Sequence, residues 1–98
     1  MDLGNRWYDK NAKVSIAVGC IEKADAIMRG RMAKLIIKYA MAAKVVAKRP
    51  TVGFFRRWYD NDPNLSLAME YFKNCDEQLQ LKIAEHLMDC VKNQALLP

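Results

Sequence analysis

Ninety-eight residues and 11.3 kDa, 52% hydrophobic and 28% charged with only 4 Gly and 3 Pro, describe a chain sized for one core. That composition excludes disorder, collagen-like repeats and a loop-rich β architecture. The net charge of +5 conceals a dipole: residues 1–59 carry thirteen bases and four acids, +9, whereas residues 60–98 carry three bases and seven acids, −4. Such a split fits a basic surface for nucleic acid or anionic lipid, and equally two halves that attract each other within one molecule or between two.

In chain order, Met1-Asp2-Leu3-Gly4 shows no basic start followed by an apolar stretch, so no signal peptide is expected. Arg6-Trp7-Tyr8-Asp9 then leads to Asn11, a good N-cap, and to Val14, Ala17, Val18 and Ile21 at i, i+3, i+4, i+7. This spacing predicts an amphipathic helix from about 12. Asp25 is a second N-cap before a longer periodic stretch to about Arg49. A break near Asp25 is expected in preference to one helix over 12–48 kinked at Gly30. Arg49-Pro50-Thr51-Val52-Gly53 ends the second helix, since Pro50 disfavours helix at the residue before it.

The pattern then repeats at an offset of 51: Arg57-Trp58-Tyr59-Asp60 restates Arg6-Trp7-Tyr8-Asp9, and six of twelve aligned positions are identical through Ala17 and Ala68. Asp62 with Pro63 predicts a helix from about 63, and Asp76 a longer one to about Asn93. The apolar pairs Val18/Met69, Ile21/Phe72, Met32/Ile83 and Ile36/Leu87 keep the register. The expected fold is all-α: a four-helix bundle of two tandem helical hairpins related by an internal repeat. Residues 1–98 are expected to form a single domain, with hairpins at 1–49 and 63–98 joined by a linker at 50–62. Neither hairpin buries its apolar stripe alone, so one shared core is expected.

The tetrapeptide present twice reads first as a structural corner. Trp and Tyr ahead of an N-cap fold onto the first turn, and Arg6 with Asp9 forms a charge-assisted pair, the guanidinium stacked on an aromatic face.

The second helix carries Arg31, Lys34, Lys38, Lys44, Lys48 and Arg49 on the arc opposite its core face. Ile37, Met41 and Val45 form an apolar i, i+4, i+8 stripe through that arc. A helix with two apolar sides packs twice, so a partner interface is expected at Lys34, Ile37, Lys38, Met41 and Val45, with a second copy or another protein as partner. In the fourth helix Glu85 and Asp89 stand where the second has Lys34 and Lys38, an outer face of opposite sign. The alternative is nucleic-acid binding by the basic helix 31–49 and the aromatic-basic linker 48–59, through Lys44, Lys48, Arg49, Arg56, Arg57 and Trp58. No RNA-binding signature accompanies those residues.

Three cysteines without a CxxC pair, Cys20, Cys75 and Cys90, read as buried thiols in a reducing compartment, and a cytoplasmic protein is expected. His86 and Cys90 share one helix face at i, i+4, but a closed zinc site needs about four ligands and a Cys–His nucleophile pair needs an orienting third group. No enzyme, metal, cofactor or small-molecule substrate is expected. The longest apolar tract, residues 35–47, is broken by Lys38 and Lys44 and falls short of a membrane span.

Overall fold

Four helices begin where the sequence supplies side-chain caps. The computed structural model describes residues 6–48 and 58–96, with side chains through 93. Helix α1, Ala12–Lys23, starts at Asn11, whose side chain accepts from the Lys13 and Val14 amides. Helix α3, Pro63–Asn74, starts at Asp62, which accepts from Asn64 and Leu65, with Pro63 in the first turn. Asp25 accepts from the Met28 amide at the head of α2, Ala26–Ala42, and Asp76 from the Leu79 amide at the head of α4, Glu77–Leu96. Each cap satisfies backbone donors that the first helical turn leaves without partners. Short 3-10 turns at Trp7–Lys10 and Trp58–Asn61 precede α1 and α3.

The break falls at Ala24 and Asp25, and Gly30 lies inside α2 without interrupting it. Helix α2 stops at Ala42, earlier than the apolar period implies. Its end is a Schellman turn: the Lys44 amide donates to Met41 O at 2.9 Å and the Val45 amide to Ala40 O at 2.9 Å, with Lys44 left-handed at φ 64°. Lysine occupies the place that glycine normally takes, so the stop has no compositional signal. The expected continuation of α2 to Arg49 is therefore corrected. Residues 49–57, most of the expected linker, lie outside the described residues.

The packing crosses between the halves: α1 lies mainly on α4 and α2 on α3, α2 also touches α4, and the two helices of the first half meet only slightly. One apolar cluster takes side chains from all four helices, including Val14, Ile21, Met32, Ile36, Leu65, Phe72, Ile83 and Leu87. All of these are at most 1% exposed. Full burial of such side chains contributes roughly 1.5–3 kcal/mol each, more than any surface pair can. The described residues contain no strand, and no helix among them is long and apolar enough to cross a membrane.

Candidate functional site

The two 3-10 turns form two corners that meet each other. Trp7 Nε1 donates to Tyr59 Oη at 3.4 Å and Trp58 Nε1 donates to Tyr8 Oη at 3.4 Å, a reciprocal pair that joins the halves. Each Trp meets the following Tyr edge to face, with ring centroids 5.2 Å apart for Trp7–Tyr8 and 5.3 Å for Trp58–Tyr59. Tyr8 and Tyr59 are buried, so their hydroxyls need partners, and the indoles supply them. Asp9 accepts from Ser15 Oγ and Asp60 from Ser66 Oγ, both at 3.0 Å, fastening each turn to the helix it precedes. Arg6 Nε donates to Asp9 Oδ2 at 2.6 Å, and the Arg6 guanidinium stands 4.8 Å from the Tyr8 ring centre.

The outer face of α2 is the exposed candidate. The helix holds no Asp or Glu from Ala26 to Ala42, and Arg31, Lys34 and Lys38 all lie in solvent. Two large apolar side chains flank these bases: Ile27 is 74% exposed and Met41 59% exposed. At 100° per residue Ile27, Arg31, Lys34, Lys38 and Met41 fall within one 80° arc.

Two of the five residues expected at a partner interface are less exposed than their spacing implies. Ile37 and Val45 are only half-exposed and pack against the core cluster. Ile37 lies at the edge of the buried arc, and Val45 follows the left-handed Lys44, whose turn folds it back toward Ala40. Lys34, Lys38 and Met41 are exposed as expected. Ile27 precedes the cationic run that marks this face, yet its helical phase relative to Lys34 and Lys38 is legible in the sequence.

Among the alternative nucleic-acid contacts, Lys44 and Lys48 are exposed, and Arg49, Arg56 and Arg57 lie outside the described residues. Trp58 points into the corner, half-buried, bonded to Tyr8 and with the Arg29 guanidinium 5.6 Å from its ring centre. A ring held that way is not an open platform on which a base can stack.

The His86 ring stacks on Tyr39 at 4.6 Å between centroids and 14° between planes, linking α4 to α2, with Lys82 Nζ 5.9 Å from the Tyr39 ring centre. Burial raises the Cys90 thiol, helped by Asp89, and pushes the Cys75 thiol up to about 11, with Asp76 adding to it. Both thiols thus favour the protonated, weakly nucleophilic form at neutral pH. Cys75 Sγ donates to Tyr71 O at 3.2 Å. No group of three or more His, Cys, Asp or Glu that could hold a metal ion occurs among the described residues.

Comparison with family profiles, with curated proteins and with solved structures returns no match.

Proposed function

We propose that this protein is a non-enzymatic binding protein whose outer α2 face docks on another protein, a second copy of this chain first of all. The observation that carries the reading is the pair Ile27 and Met41, 74% and 59% exposed, at the two ends of a face centred on Arg31, Lys34 and Lys38. Fourteen residues of helix separate them by about 21 Å. Exposed apolar side chains of this size, grouped with charge, fit a contact in which burial supplies affinity and charge sets register.

The Tyr39–His86 stack holds α4 alongside α2, and α4 exposes Asp89 and Glu85, the latter already engaged by Lys13 at 3.0 Å. A twofold pairing that lays α2 of one copy against α4 of the other sets bases opposite acids. Pairing α2 with α2 sets bases opposite bases and is disfavoured. Free thiols at Cys20, Cys75 and Cys90 fit a reducing, cytoplasmic setting for this role.

Sedimentation velocity of the parent and of an Ile27→Glu, Met41→Glu double variant tests the proposal. The expected result is a dimeric parent and a monomeric variant of unchanged helicity. A monomeric parent, or a variant with the parent's mass, overturns it. A second reading, nucleic-acid binding, draws on the absence of any acid in α2 and on the exposed Lys44 and Lys48 beyond it. Oligonucleotide binding that falls steeply with salt and disappears in Lys34→Glu, Lys38→Glu would favour that reading.

A further inference from the structure

The matched corners differ at one place. At the corner beside Trp58, Arg29 Nε donates to the Ile21 carbonyl at 3.0 Å, a terminal guanidinium nitrogen donates to the Glu22 carbonyl, and the cation lies over the indole at 5.6 Å. Fifty-one residues further on, Gln80 Nε2 donates to the Phe72 carbonyl at 3.1 Å and to the Lys73 carbonyl at 3.4 Å. The anchoring is equivalent, since both side chains bond the last turn of the preceding helix. Glutamine, however, brings no cation to the neighbouring indole.

A groove of about 350 Å³ lies beside Trp7 and is lined by Trp7, Tyr8, Lys10, Lys73, Glu77 and Gln80, among others. That volume suits a ligand of amino-acid size. Glu77, the first residue of α4, stands where α2 opens with Ala26, so the carboxylate of this groove sits at the head of a helix whose partner in the other half begins with alanine. Lys10 and Lys73 stand where the Trp58 side has Asn61 and Glu22, so a carboxylate there lies at the position that Lys73 holds here. Lys73 is engaged by Glu70 at 3.4 Å, which leaves Lys10 as the main cation at the rim.

We propose that the Trp7 groove receives the guanidinium of an arginine-type ligand that also carries a carboxylate, free arginine or an arginine residue at a peptide C-terminus. The guanidinium takes over Trp7 the position that Arg29 takes over Trp58, with Glu77 as its counter-charge, and the ligand carboxylate meets Lys10. None of the groove's lining residues lies on α2, so the groove and the α2 face are separate surfaces.

The test follows the two indole N–H resonances of the full chain during titration with L-arginine, argininamide and L-lysine. L-Arginine is expected to shift the Trp7 resonance saturably and to leave Trp58 in place. Argininamide, without the carboxylate, is expected to bind about fivefold more weakly, and L-lysine more weakly than L-arginine because its ammonium lacks the planar fork. Gln80→Arg places a guanidinium of the chain itself in the groove, so the saturable shift is expected to vanish. Should that variant misfold, Glu77→Ala provides the second reading, with weaker binding and an unmoved Trp58 resonance. Absence of a saturable Trp7 shift with L-arginine, an equal shift at Trp58, or undiminished binding in the folded variants overturns the proposal.

Discussion

Replacing Arg29 by Gln gives the corner beside Trp58 the residue that the corner beside Trp7 has at position 80. Arg29 bonds the Ile21 and Glu22 carbonyls and lies 5.6 Å over Trp58, whereas Gln80 makes the corresponding two carbonyl bonds without covering an indole. The hydrogen bonds should therefore survive the substitution. What is lost is a cation at the C-terminal end of α1, worth about 0.3–1 kcal/mol, and a cation–π contact worth about 0.5–1 kcal/mol at a partly exposed site. The sum is about 1–2 kcal/mol, a fall in Tm of about 5–12 °C for a chain of this size. Thermal unfolding followed by circular dichroism measures it. Introducing Gln80→Arg in the same chain supplies the missing cation over Trp7, and the double variant should recover most of the loss. A cost below about 0.3 kcal/mol for Arg29→Gln, or a further loss on adding Gln80→Arg, would refute a stabilising cation at this place.

Two other outcomes follow from local geometry. Lys44→Gly relieves a left-handed residue at φ 64°. The strain of about 1–2 kcal/mol that it removes exceeds the glycine entropy cost of about 0.5–1 kcal/mol, so urea unfolding should show a gain of about 0.5–1 kcal/mol, and a loss would contradict the Schellman assignment. The Cys75 thiol, raised to about 11 from an ordinary 9.0, stays protonated in the folded chain after the unfolded chain has released its proton. The folded state then binds more protons, so this contribution to stability is complete below pH 9 and declines as pH rises toward 11. Denaturant midpoints for the parent and for Cys75→Ala should converge over that range, and a difference that stays constant would argue against a perturbed thiol.

The sequence was most legible where a local rule acts. Asn11, Asp25, Asp62 and Asp76 are capping residues by type, and all four cap helices. The Arg6–Asp9 pair, over the Tyr8 ring, needed only three-residue spacing to be foreseen. The α2 face was legible in part: Lys34, Lys38 and Met41 are exposed, but periodicity alone put Ile37 and Val45 beside them. A cationic arc has no marked edge in sequence, and the half-burial of Ile37 depends on how far the neighbouring helices wrap round α2.

By itself, the chain's pattern of caps and apolar spacing determined four helices and their starts, because backbone donors and apolar stripes are satisfied within a few residues. Which helices pair was a tertiary decision: α1 takes α4 and α2 takes α3, since each stripe buries more against the other half than against its own neighbour. The indole–phenol exchange at the corner and the Tyr39–His86 stack belong to the same class, joining residues 52, 50 and 47 positions apart. Contacts at that separation exist only once the core has closed, so no local rule announces them.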